Sequence, residues 1–114
     1  MLLNLLVLRA REPNSLVAFY EGLGLQFDEE RHGSGPAHHA ARQGSGVFEI
    51  YPCSAEDRST VATRIGFAVE DVDLACKRAL ESYGTVIQEP RDSPWGRRAI
   101  VKDPEGHTVE LTRA

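Results

Sequence analysis

The sequence predicts an α+β domain built from two copies of a βαβββ module. Three observations carry this reading. A strand-like apolar run, Leu5-Leu6-Val7-Leu8-Arg9-Ala10, recurs roughly sixty residues on as Arg64-Ile65-Gly66-Phe67-Ala68-Val69. Each run leads into a segment of helical period. Each half then closes on a hairpin whose outgoing strand repeats an apolar-Glu-apolar triplet, Phe48-Glu49-Ile50 and Val109-Glu110-Leu111.

The start, Met1 to Leu8, is apolar, carries no basic residue ahead of the apolar run and is cut short by Arg9. It reads as a buried strand rather than a signal peptide or membrane span. The first helix opens at Pro13, which suits a first turn because its missing N–H has no partner there. Leu16, Phe19, Tyr20 and Leu23 follow at i, i+3, i+4, i+7, and Gly22 and Gly24 supply the stop. Gln43-Gly44-Ser45-Gly46 turns the first hairpin into the strand Val47 to Tyr51. A polar stretch separates the modules, which span about 1–52 and 63–114 with a linker at about 53–62.

In the second module Asp71 is the expected N-cap. Val72, Ala75, Cys76, Ala79, Leu80 and Tyr83 form the apolar stripe, ended by Gly84 in the place that Gly24 holds in the first copy. Asp103-Pro104-Glu105-Gly106 turns the last hairpin into Thr108 to Thr112.

The 114 residues fit one domain able to bury a core without staples. A hydrophobic fraction of 41% and a charged fraction of 26% are those of a globular chain. The net charge of −4 is mild and Arg97-Arg98 is the one basic pair of note, so no nucleic-acid face is expected. Cys53 and Cys76 have neither disulfide-scaffold nor zinc spacing, and Cys76 falls on a helix's apolar face as a buried thiol. A reduced, cytoplasmic setting with no membrane partner follows as the expectation.

Strand alternation sorts the side chains. Leu6, Leu8, Ala10, Phe48, Ile50, Ile65, Phe67, Val69, Val109 and Leu111 are assigned to the helices. The opposite faces collect Arg9, Glu49, Arg64 and Glu110, with Leu5, Val7, Val47, Tyr51, Thr108 and Thr112. Charged groups on an inner sheet face are rarely buried unless paired or used.

With Ser15 to Leu25 (SLVAFYEGLGL), Phe48-Glu49-Ile50-Tyr51, Ile65 to Asp71, and Pro94-Trp95-Gly96 followed by Asp103-Pro104-Glu105-Gly106-His107-Thr108-Val109-Glu110-Leu111, the chain resembles the glyoxalase/bleomycin-resistance/extradiol-dioxygenase superfamily, the vicinal oxygen chelate fold. The resemblance covers nearly the whole chain. It implies mixed sheets enclosing a cavity, helices outside, and a homodimer. In metal-dependent members the first and last strands of each module supply four ligands, which here correspond to Leu5, Glu49, Arg64 and Glu110. Both glutamates are present, but leucine has no donor and arginine keeps its charge. No cofactor is therefore expected, and a divalent metal is disfavoured by Leu5 and Arg64. Arg64 is expected where the metal's charge would be, paired with Glu49 and Glu110.

Other candidates surround this set. His38 and His39 are adjacent in a strand, so only one can share the face of Glu49. A four-residue turn at Gln43–Gly46 selects His38, and a one-residue slip would exchange it for His39. His32 reads as loop surface and His107 as structural. Related enzymes use an arginine near the place of Arg9 to hold a carboxylate; a solvent-reaching strand end is the alternative. Trp95 is suited either to stacking on an organic ligand or to covering a sheet edge. Arg9, His38, Glu49, Tyr51, Arg64, Trp95 and Glu110 are thus the ligand-binding candidates, with Glu49 and Glu110 the only catalytic ones.

The leading expectation is a metal-free binding protein of the bleomycin-resistance kind, taking a small organic molecule. One alternative is a metal-dependent lyase, isomerase or dioxygenase with a site rebuilt around His38, Glu49 and Glu110. Another is a structural or regulatory domain without ligand. Glyoxalase I activity is not expected, with two ligand positions lost.

Overall fold

A computed structural model describes residues 1–114, which divide into two compact units, Met1–Thr60 and Val61–Ala114. The first unit runs β1 (Leu5–Ala10), α1 (Pro13–Gly22), β2 (Asp28–Glu30), β3 (His38–Gln43) and β4 (Gly46–Pro52). The second runs β5 (Arg64–Val69), α2 (Val72–Glu81), β6 (Thr85–Arg91), β7 (Arg98–Lys102) and β8 (Thr108–Arg113). Both are βαβββ, the repeat expected of the α+β reading. Each unit builds one four-stranded sheet, ordered β1-β4-β3-β2 and β5-β8-β7-β6. The first and last strands of a unit pair in parallel and the remaining neighbours are antiparallel, so both sheets are mixed.

Side-chain alternation decides which face of each sheet meets its helix. In the first unit Leu8, Ala10, Phe48 and Ile50 are buried, as are Leu16, Val17, Phe19 and Tyr20 of α1. Tyr20 meets Phe19 and Phe48 edge-on, with ring centroids 4.9 Å apart in both pairs. A fully buried side chain of this size contributes about 1.5–3 kcal/mol. In the second unit Val72, Ala75, Cys76 and Ala79 of α2 are buried, as are Ile65, Ala99, Val101, Val109 and Leu111 of the sheet. No helix is long and apolar enough to cross a membrane.

Helix ends follow local chemistry. Pro13 lies in the first turn of α1, and the Asp71 carboxylate caps α2 by accepting from the Leu74 amide at 3.0 Å. Past α1 the chain turns through Gly24 at φ 113°, a region that glycine enters without steric cost. Past α2 the residue with positive φ is Tyr83, at 69°, and the Gly84 amide bonds the Ala79 carbonyl at 2.8 Å. Gly84 therefore does not stand in the place of Gly24; Tyr83 does.

Three apolar assignments change with this geometry. Tyr83 is beyond the helix and exposed, and Leu80 lies outside the buried stripe of Val72, Ala75, Cys76 and Ala79. The start is not a buried strand throughout. Met1, Leu2 and Leu3 are exposed, because the β1–β4 ladder begins only where Leu5 meets Val47.

Candidate functional site

In the first unit the β3–β4 hairpin sets the register. Gln43 pairs with Gly46 across Gly44-Ser45, with Gly44 at φ 57°, and Ala40 pairs with Glu49. Counting back two residues from Ala40 puts His38, and not His39, on the face of Glu49. His38 is 1% exposed and its ring stacks on Tyr51, 4.2 Å between centroids with planes 7° apart. Its Nδ1 lies 3.3 Å from the Pro36 carbonyl oxygen. A carbonyl only accepts, so Nδ1 carries the proton in that bond.

The other ring nitrogen faces carboxylates. His38 Nε2 is 3.4 Å from Glu49 Oε2 and 3.6 Å from Glu30 Oε1, yet it is a buried atom with no hydrogen-bond partner. Glu30 is the cross-strand partner of His38 in the β2–β3 ladder. His32, two residues beyond Glu30, brings its Nε2 to 3.4 Å from Glu30 Oε1. Donor atoms of Glu30, His32 and His38 all lie within 4.8 Å of one another.

Arg9 lies in the same unit with its guanidinium carbon 5.5 Å from the Tyr51 ring centroid, a cation–π contact. Its Nη1 is 3.7 Å from Asp57 Oδ2, and its amide donates to Thr60 Oγ1 at 3.0 Å. The Asp57 carboxyl is held below its ordinary pKa, first by the Ser54 amide and hydroxyl and then by Arg9. Leu5, on β1, offers only hydrocarbon.

In the second unit Glu110 stands between two guanidiniums. Arg64 donates from Nε to Oε2 at 2.8 Å, and Arg98 donates from Nε to Oε1 at 2.6 Å. The ladders explain this clamp. Glu110 is opposite Gly66 on one side and Ile100 on the other, so Arg64 and Arg98 are its diagonal neighbours on the same face. The two arginines, Arg64 before Arg98, hold the Glu110 carboxyl below its ordinary pKa. Arg64 thus has Glu110 as expected; the partner of Glu49 within its own unit is His38.

Beside the clamp lies a cavity of about 400 Å³, lined by Gln88, Trp95, Gly96, Arg98, Glu110 and Thr112 among others. Trp95 projects from a turn held by paired Ser93–Gly96 backbone bonds at 3.0 Å and by the Ser93 hydroxyl donating to the Gly96 carbonyl at 2.7 Å. Gly96 sits at φ 108°. Arg97 ties this turn to the helix, donating to both oxygens of Asp73 at 2.6 and 2.8 Å and to Asp92 at 3.1 Å. Trp95 is left 91% exposed, so it does not cover the sheet edge.

Residues at the four positions where the family resemblance implies a metal do not fit one. Leu5 has no donor atom, Arg64 brings a fixed positive charge, and both oxygens of Glu110 are engaged by arginine. Glu30 is not among the sequence candidates, where His32 reads as loop surface and Arg98 as half of a basic pair. Arg98 was legible in principle, since Ala99 and Val101 alternate with it and mark its face. The three-residue strand Asp28–Glu30 carries no apolar pattern that would have placed Glu30.

The family model for the Glyoxalase/Bleomycin resistance protein/Dioxygenase superfamily matches residues 2–111. The chain is 52% identical over 40 residues to the anthracycline biosynthesis protein DnrV of Streptomyces peucetius, a match covering 35% of this chain and 14% of DnrV. The chain thus spans only a small part of that relative. It is 30% identical over 104 residues to an uncharacterized protein of Mycolicibacterium smegmatis, covering 91% of this chain and 86% of the other. Among solved structures, TnmS3, an antibiotic binding protein from Streptomyces sp. CB03234, superposes with a TM-score of 0.78 at 20% identity, covering 99% of this chain and 95% of TnmS3.

Proposed function

The chain belongs to the Glyoxalase/Bleomycin resistance protein/Dioxygenase superfamily, and from that premise we propose that it binds a small, oxygenated aromatic molecule without transforming it. The observation that carries this reading is the cavity of about 400 Å³ beside the Glu110 clamp. Its volume falls within the range of about 300–1,000 Å³ usual for small-molecule sites. Trp95 offers an indole face for stacking on a planar ring. Arg91, a further lining residue whose Nη2 reaches Gln88 Oε1 at 3.1 Å, presents N–H donors to ligand oxygens. Glu110, held between Arg64 and Arg98, provides a fixed polar wall. The reading is supported by the relatives: DnrV is named for anthracycline biosynthesis and TnmS3 for antibiotic binding.

Trp95 is the one tryptophan of the chain, so its emission reports this cavity directly. Titration with an anthracycline should quench it saturably and raise the melting temperature, with the ligand recovered unchanged. Trp95→Ala should weaken binding, measured by calorimetry, about fivefold or more, in keeping with the 1–3 kcal/mol of an aromatic stack on a planar base. The reading fails if anthracyclines and simpler hydroxyquinones give neither heat nor a thermal shift up to their solubility limit.

A further inference from the structure

The β2–β3 hairpin of the first unit holds an arrangement that the proposed cavity does not use. His38 is buried and its Nδ1 donates to the Pro36 carbonyl, which turns Nε2, a buried atom without a hydrogen-bond partner, toward the carboxylates. Glu30 Oε1 lies 3.6 Å from it and Glu49 Oε2 3.4 Å. Two carboxylates gathered around one buried ring nitrogen need a positive charge between them. His32 completes the group, its Nε2 3.4 Å from the same Glu30 oxygen.

We propose that Glu30, His32 and His38 form a binding site for a divalent first-row transition-metal cation, of the zinc or cobalt kind. The donor set is two imidazole nitrogens and one carboxylate oxygen, the chemistry such ions select. The spacing fits as well. Bonds of about 2.0–2.2 Å in a tetrahedral shell put neighbouring donors about 3.3–3.6 Å apart. The separations here are 3.4 Å for His32–Glu30 and 3.6 Å for His38–Glu30. The carbonyl of Pro36 fixes the His38 tautomer and ring direction, as outer partners of ligating histidines commonly do. Glu49, beside His38 Nε2, supplies the second negative charge that balances a divalent ion. Three protein donors leave at least one position for water or a ligand atom. None of Glu30, His32 and His38 belongs to the four family positions, and none lines the Trp95 cavity.

The test is titration of chelator-treated protein with Co²⁺ and with Zn²⁺ alone. One ion per chain is expected, with visible Co²⁺ d–d absorption lost when Zn²⁺ displaces it. His32→Ala and Glu30→Gln should each raise the dissociation constant at least tenfold. His38→Gln is less decisive because the buried ring also stacks on Tyr51. His32 is 74% exposed, so His32→Ala keeps the fold, checked by an unchanged melting temperature without metal. Glu110→Gln should leave metal affinity unchanged. The proposal is overturned by sub-stoichiometric binding, by binding that survives His32→Ala and Glu30→Gln, or by binding that Glu110→Gln abolishes. It is equally overturned if nitrogen NMR finds the His38 ring doubly protonated at neutral pH and unmoved by Zn²⁺, since an imidazolium would then supply the charge.

Discussion

Arg98 donates to Oε1 of Glu110 at 2.6 Å, taking the oxygen that the 2.8 Å bond from Arg64 leaves open. The folded carboxyl therefore ionises more readily than its ordinary value of 4.5. A folded pKa depressed below the unfolded one contributes stability that is present above the unfolded value and is lost as pH falls through the folded one. Denaturant titrations of the parent protein should show stability declining as pH drops below about 4.5, and Glu110→Gln should make that decline shallower. It should not abolish it, because Asp57 and Asp73 are shifted in the same direction. Equal slopes for parent and variant would refute a role for the clamp in acid stability.

Tyr83 occupies a left-handed backbone position with its side chain 88% exposed. A non-glycine residue there costs about 1–2 kcal/mol, and an exposed ring recovers little of it. Tyr83→Gly should stabilise the chain by about 0.5–1 kcal/mol in urea unfolding, in part offset by greater freedom in the unfolded chain. A loss of stability would show that the ring makes contacts worth more than the backbone gain.

The turn from β7 into β8 is organised by one carboxylate. Asp103 Oδ1 accepts from the amides of Glu105, Gly106 and His107 at 2.9–3.1 Å, and Oδ2 is 2.9 Å from His107 Nδ1. Both side chains are wholly buried. Asp103→Ala takes this acceptor from the Glu105 and His107 amides and from a buried ring nitrogen, while the Gly106 amide keeps the Asp103 carbonyl at 3.0 Å, and should cost about 3 kcal/mol. Urea unfolding monitored by circular dichroism measures it; a cost under about 1 kcal/mol would mean that water replaces the carboxylate.

Burial pushes the Cys76 thiol above its ordinary pKa, with Glu89 and Asp73 adding to the effect. Cys53 is only partly covered. A thiol reagent at neutral pH should label Cys53 readily and Cys76 only on unfolding, as peptide mapping would resolve. Rapid labelling of both in the folded chain would contradict the placement of α2.

The fold was legible because its signals are periodic. The two strand-helix repeats, the Asp71 cap and the alternation around Glu49 and Glu110 follow from spacing of 2 and 3.6 residues, and the ladders reproduce them. The face of His38 followed from turn length, since a four-residue turn leaves one register. What escaped had no period to carry it. Glu30 and His32 come together with His38 only through a three-residue strand and its loop. Tyr83 escaped because glycine is the usual left-handed residue and Gly84 stands next to it, yet the helix ends one position earlier. Adjacency makes Arg97 and Arg98 look like one basic pair, whereas they have separate tasks: one ties a turn to α2, the other clamps Glu110.

In both units the strand translated last is an interior one: β4 lies between β1 and β3, and β8 between β5 and β7. Until Gly46–Pro52 has left the ribosome, β1 lacks its parallel neighbour and α1 has no finished surface to cover. The same holds for β5 and α2 until Thr108–Arg113 emerges. Each half thus waits on its own final segment before its sheet is complete.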